Sequence, residues 1–219
     1  MPILCLLLIS MALYEYLSEE YWVYDAYLLP IQRADAVRYF ILHHFGGLYV
    51  DLDFECLKPL EPVLHGRSCV FGSEPRAHAL AYRMPVIIGN ALMASVLGHP
   101  LWLDVHKALV RHREALDTRG PDVLRSTGPL MLTDVVQCYA TDWVTVYPPD
   151  VFYPQLDASN RHIFALWAKD ADMEQAHYVS ELRKGVVRPD SYAVHHWAGT
   201  WTSNYDVKKA LIEGITARS

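Results

Sequence analysis

The segment Gln32–Asp53, QRADAVRYFILHHFGGLYVDLD, constrains the fold more than any other part of this chain. Ala36, Val37, Phe40, Ile41 and His44–Phe45 recur at spacings of three and four, so Gln32–Phe45 reads as a helix with one buried face. Gly46-Gly47 ends it, as a left-handed glycine after a last turn does. Leu48–Phe54 then alternates as a strand, with Leu48, Val50, Leu52 and Phe54 on one face and Tyr49, Asp51 and Asp53 on the other. On such a strand the two carboxylates point the same way. Bare carboxylates side by side repel and raise one another's pKa unless a cation sits between them. Oxygen ligands suit Mg²⁺ or Mn²⁺. The alternative for the triplet alone is a solvated strand end.

The chain has 219 residues, enough for one domain. Apolar residues at 52% and charged residues at 20% exclude a disordered polymer. A net charge of −6 argues against a nucleic-acid partner, which requires a basic stripe. Cys5, Cys56, Cys69 and Cys138 form no C-x-x-C pair, which excludes a zinc ribbon or a thioredoxin motif. Cys56 and Cys69 could bridge in an oxidising compartment, or all four could simply be thiols.

Residues Leu13–Leu29 are tyrosine-rich and partly helical, with Pro30 closing the segment. Pro59 and Pro62 bound a turn. Ser68–Phe71 and Val86–Ile88 read as strands, and Asn90–Leu97, Pro100–Leu116 and Pro129–Tyr139 as helices, the last capped near Ser126-Thr127-Gly128. Val144–Tyr147 is a further strand. Helices alternating with short strands indicate an α/β fold.

ADAVRYFILHHFGGLYVDLD resembles the sugar-binding region of glycosyltransferase family 32, in which an A-D-x-x-R-[YF] helix leads through Gly-Gly into a D-x-D strand. The likeness is closest to inositol-phosphorylceramide mannosyltransferases. Further blocks fit in order: Pro30–Arg33, Lys58-Pro59-Leu60, Gly89–Ser95 with Gly98-His99-Pro100, Ser126–Pro129 and His195-His196-Trp197. Where the family often has an acidic residue after Asn90, this chain has Ala91.

The resemblance implies a single GT-A-type domain over residues 14–219 and a retaining transfer from a nucleotide sugar. The donor would be GDP-mannose, with UDP-sugars second. The acceptor would be a glycolipid or glycan, with inositol phosphoceramide named first. It implies a Mn²⁺ or Mg²⁺ ion held by Asp51, Asp53 and His196, with His195 as the competing imidazole. Asp35, Arg38, Asn90, Ser126 and Trp201 would contact the donor. The rival to sugar contact for Asp35 and Arg38 is a surface salt bridge. Membrane association is implied, on the lumenal face of the Golgi or another endomembrane in a eukaryote, or in the cytoplasm or at the membrane of a bacterium. The alternatives to a transferase are a non-catalytic or truncated sugar-nucleotide-binding relative and a glycoside hydrolase, whose carboxylates would lie farther apart across a sugar.

The family's fold begins with a strand of the I-P-K-I-I-H-Q type that builds the base pocket, and no such strand is visible here. The expectation is therefore a GT-A fold lacking part of its N-terminal base-binding strands. Met1–Leu13 is apolar but too short to span a bilayer. It reads as a buried strand or helix start, as a degenerate signal-anchor, or as a sequence boundary that is not the natural one.

Overall fold

Pro30 opens the first long helix rather than closing the segment before it. In the computed structural model, which describes residues 21–119, 122–157 and 188–199, a short helix α1 (Tyr21–Ala26) is followed by α2 (Pro30–Phe45). Proline suits the first helical position because its missing N–H would have no partner there, and its φ is already helical. The Gln32 side chain accepts from the Leu29 N–H and helps start the first turn. The expected stripe of Ala36, Val37 and Phe40 is buried, yet so are Asp35, Arg38 and Tyr39 on the rest of the helix. Helix α2 therefore has two buried faces, one apolar and one polar, while Phe45 at its end is exposed.

The expected strand Leu48–Phe54 is broken. Strand β1 (Gly47–Val50) ends before Asp51, and β2 (Phe54–Cys56) belongs to a different sheet. The D-x-D triplet is the turn between them, where the Phe54 N–H donates to the Asp51 carbonyl at 3.2 Å. Leu52 at its tip is 97% exposed, not on a buried face. The alternation seen in the sequence spans two elements that happen to be contiguous.

The chain continues through α3 (Glu61–Leu64), a helical turn in place of the expected proline-bounded turn, then β3 (Cys69–Ser73) and α4 (Arg76–Ala81). The strand expected at Val86–Ile88 and the helix expected at Asn90–Leu97 are a single strand, β4 (Ile88–Ser95). A short apolar run such as IGNALMAS carries no periodicity that separates strand from helix. Pairing decides it, because β4 is antiparallel to β1 on one side and to β3 on the other, and all eight residues are buried. Then come α5 (Leu101–Arg119), α6 (Val123–Ser126), α7 (Pro129–Val136), β5 (Thr145–Tyr147), α8 (Pro149–Phe152) and β6 (Ala193–His195). The main sheet runs β1-β4-β3-β5, with β5 parallel to β3, and β2 pairs with β6 in a separate two-stranded ladder.

One apolar cluster joins the helices to the sheet through Tyr27, Tyr39, Phe71, Met93, Trp102 and Leu109. A second gathers Val63, Val70, Leu92, Phe152, Tyr153 and Ala193 around the two-stranded ladder. Ala91 is buried in this second cluster, so an acidic side chain in its place would meet apolar neighbours. The α/β class agrees with a GT-A architecture. The reading of Met1–Leu13 and of missing base-binding strands concerns residues outside those described. Cys56 and Cys69 are free thiols, one exposed and one buried, so they do not bridge. Among the described residues no helix is long and apolar enough to cross a membrane.

The α2–β1 junction depends on Gly46. Its φ of 63° and ψ of −154° are open essentially to glycine alone. A Cβ there would also lie 2.6 Å from the Leu97 nitrogen and 2.9 Å from the Ser95 oxygen, both backbone atoms that cannot swing away. Gly98 also has positive φ, 71°, but open space where a Cβ would go. Gly98→Ala should therefore cost about 1–2 kcal/mol, and Gly46→Ala at least about 3 kcal/mol once overpacking is added. Urea unfolding of the two variants checks the difference, and equal losses would show that the Leu97 contact is unimportant.

Candidate functional site

Arg38 lies at the centre of the site. The A-D-x-x-R spacing places it one helical turn from Asp35, and its side chain is almost fully buried. One terminal nitrogen meets Asp35 Oδ1 at 3.0 Å. The other reaches Asp51 Oδ1 at 3.2 Å and the Asn90 carbonyl at 2.9 Å. Its Nε donates to the Ala34 carbonyl, and the guanidinium sits 4.7 Å above the Tyr49 ring. This is no surface i,i+3 pair, because one planar cation joins α2, the D-x-D turn and the centre of β4.

Asp35 is equally enclosed. Besides Arg38 it accepts from Asn90 Nδ2 at 3.0 Å and from Thr127 Oγ1 at 3.0 Å. Asn90 Nδ2 also reaches the Tyr39 hydroxyl, which donates to the Thr127 carbonyl at 2.7 Å. Burial pushes the Asp35 carboxyl up to about 6, against the opposing pull of Arg38, Thr127 and Asn90. Arg38 is held firmly charged by Asp35 and Asp51, which outweigh its own desolvation. Ser126 and Thr127 do not cap the following helix. Ser126 accepts from Gln32 at 2.8 Å, Thr127 serves Asp35, and the cap of α7 is Gly128 with no side-chain bond. Asp35, Asn90, Thr127 and Tyr39 thus form one buried network with Arg38, whereas Ser126 bonds Gln32 and the Val123 carbonyl instead. Trp201 lies outside the described residues.

The carboxylates of the D-x-D turn diverge in their partners. Asp51 receives the Tyr49 hydroxyl at 2.6 Å in addition to Arg38. Asp53 faces the C-terminal strand: its Oδ1 lies 3.0 Å from His195 Nε2, its Oδ2 accepts from the Ala198 N–H at 2.9 Å, and its carbonyl accepts from the His196 N–H. The β2–β6 register makes Phe54 and His195 direct partners, which brings the His195 ring beside Asp53. This corrects the choice of His196. The structure turns that ring outward, onto Glu55 at 3.1 Å and half exposed, because adjacent residues on a strand face opposite ways. His195 is buried, and desolvation lowers its pKa despite the nearby Asp53, so the imidazole is neutral at neutral pH.

One ligand atom from each of Asp51, Asp53 and His195 lies within 4.8 Å of the others. His195 Nδ1 is buried with no hydrogen-bond partner among the described residues. Two carboxylates and a neutral imidazole fit a divalent cation of the Mn²⁺ or Mg²⁺ type. Tyr39 and Tyr49 are residues of this network that the sequence did not single out as site groups. Their only signal was adjacency to the motif residues, since a buried hydroxyl partner has no spacing of its own.

Residues 7–70 match the family described as "Glycosyltransferase sugar-binding region containing DXD motif", a span that holds Asp35, Arg38, Asp51 and Asp53. The chain carries this family's sugar-binding region. It is 31% identical over 199 residues to inositol phosphoceramide mannosyltransferase 3 of Schizosaccharomyces pombe, covering 84% of this chain and 48% of that protein. It is 38% identical over 130 residues to the mannosyl phosphorylinositol ceramide synthase SUR1 of Saccharomyces cerevisiae, covering 58% and 31%. A lactosylceramide 4-alpha-galactosyltransferase of Pongo pygmaeus matches at 27% identity, over 60% of this chain and 56% of that one. The chain thus spans about half or less of the length of the first two of these proteins.

Burial of Asp35 sets a pH dependence of stability, which Arg38 partly offsets. The Asp35 carboxyl lies above its ordinary value of 3.8 in the folded chain. Its contribution to stability is therefore full below about pH 4 and is lost as the pH rises through about 6. Asp35→Asn should flatten this part of the unfolding free energy against pH. Arg38→Met should cost about 3–5 kcal/mol at pH 7, because it leaves Asp35 and Asp51 without their shared cation. Denaturant unfolding from pH 4 to 8 checks both, and a pH slope that survives Asp35→Asn would assign it elsewhere.

Proposed function

We propose that this chain is a metal-dependent, retaining glycosyltransferase that moves a hexose from a nucleotide sugar to a glycolipid or glycan acceptor. GDP-mannose is the first choice of donor, UDP-sugars the second, and inositol phosphoceramide the first choice of acceptor. The observation that carries the reading is the convergence of Asp51, Asp53 and His195 beside the buried Arg38 network. The names of the mannosyltransferase relatives support the sugar and the lipid.

A divalent cation bound there would neutralise charge on the diphosphate leaving group. The chain's own residues build the place for it. Asp53 and His195 offer a carboxylate and a neutral imidazole at the turn. Arg38 and the Tyr49 hydroxyl hold the Asp51 carboxylate at a fixed angle, so little reorganisation is needed when charge develops. Asp35 and the Asn90 carbonyl hold Arg38 in place, and Thr127 and the Asn90 amide hold Asp35. In the proposed step the bond from the anomeric carbon to the diphosphate oxygen breaks as the acceptor oxygen approaches the same face. The departing phosphate oxygen takes the acceptor's proton, so no protein base is required. A glycoside hydrolase is disfavoured because Asp51 and Asp53 lie on one tight turn rather than on opposite walls of a cleft. In a eukaryotic cell the reading places the site on the lumenal face of the Golgi or another endomembrane.

A panel of GDP- and UDP-sugars with Mn²⁺ and an inositol phosphoceramide acceptor tests the reading, with transfer of mannose from GDP-mannose expected. Asp53→Asn should lower transfer by at least about 100-fold, and chelation of the metal should abolish it. Transfer that continues at the normal rate in Asp53→Asn without metal would refute the mechanism. Mn²⁺ binding with no turnover of any donor would mark a sugar-nucleotide-binding relative instead.

A further inference from the structure

Behind His195 lies a chain of side chains that the reading above does not use. Glu74 follows β3, and its side chain is 10% exposed. His78 on α4 is buried, with Nδ1 2.8 Å from Glu74 Oε2 and Nε2 3.2 Å from the Asp157 backbone nitrogen. A backbone N–H only donates, so Nε2 is the acceptor and the ring proton sits on Nδ1, facing Glu74. The His78 ring stands edge-on to the Trp197 indole, with centroids 4.7 Å apart. Trp197 in turn lies 4.2 Å from the His195 ring and packs on Tyr153, and its Nε1 donates to the Gln155 carbonyl. Tyr153 cannot retreat, because it fits against Gly89, where any Cβ would run into its hydroxyl.

Trp197 has a φ of 52°. A bulky residue in the left-handed region is strained, and such strain persists only where the surroundings over-determine it. The same backbone turn aims the Ala198 N–H at Asp53 Oδ2.

We propose that Glu74 and His78 are positioning residues for the Asp53–His195 pair. By holding the Trp197 indole against His195, they keep the chain turned so that Ala198 and His195 grip both oxygens of Asp53. The proposal rests on the metal reading only for its consequence. Partners behind a metal ligand typically change metal affinity about 10- to 100-fold when removed.

Hydrogen exchange at the Ala198 amide, without metal, tests the geometry directly. Glu74→Ala and His78→Ala should each speed that exchange at least about 10-fold, while the amides of β4 keep their protection. Glu74→Gln, which can still accept from His78 Nδ1, should restore slow exchange, a rescue that loss of packing alone would not give. If His78→Ala also exposes the β4 amides, His78→Gln is used in its place, and the same increase is expected because it has no ring to press on Trp197. Unchanged Ala198 exchange in the Glu74 and His78 variants overturns the proposal. Mn²⁺ titration followed by electron paramagnetic resonance then reads the consequence, with about 10-fold weaker binding expected in Glu74→Ala. A wild-type chain that takes up no Mn²⁺ would refute the metal reading, while the exchange result would still decide the positioning role.

Discussion

The site depends on one buried cation. The Arg38 guanidinium spends its donors on Asp35, Asp51, the Asn90 carbonyl and its own helix. A guanidinium taken out of water is costly, and only this many partners in fixed geometry offset that cost. Those partners lie on three different elements, of which β4 is remote in sequence, so satisfying Arg38 also fixes where α2, the D-x-D turn and β4 meet. Asp35, Asn90, Thr127 and Tyr39 are in effect the wall that holds this cation.

The second constraint is the change of sheet inside the motif. β1 belongs to the four-stranded sheet and β2 to the ladder with β6, so the two aspartates straddle a boundary. Asp51 looks back to Arg38 and Tyr49, and Asp53 looks forward to His195 and Ala198. A continuous strand would have put both carboxylates on one face with the same surroundings. The break gives them different partners and brings His195, from the far end of the described chain, beside Asp53. The exposed Leu52 follows from the same break, since the tip of a turn between two sheets has nothing to pack on.

Much of this was legible in the sequence. The 3–4 spacing of Ala36, Val37 and Phe40 marked α2, the glycine pair marked its end, and the ordered blocks pointed to Asp35, Arg38, Asn90, Ser126 and the D-x-D aspartates before any coordinates. The first two are local signals, periodicity and a backbone conformation that only glycine adopts, and the third is the resemblance to a family. What the sequence could not decide depended on partners far along the chain. Whether IGNALMAS is a helix or a strand depended on the open ladders of β1 and β3. Whether His195 or His196 faces Asp53 depended on the β2–β6 register, where a shift of one residue exchanges the two rings. Burial of the Asp35–Arg38 pair, which separates it from a surface salt bridge, required Thr127 and Asn90 to arrive from other elements. Periodicity and the family resemblance thus named candidate residues, and only tertiary pairing decided which of them meet and which way each one faces.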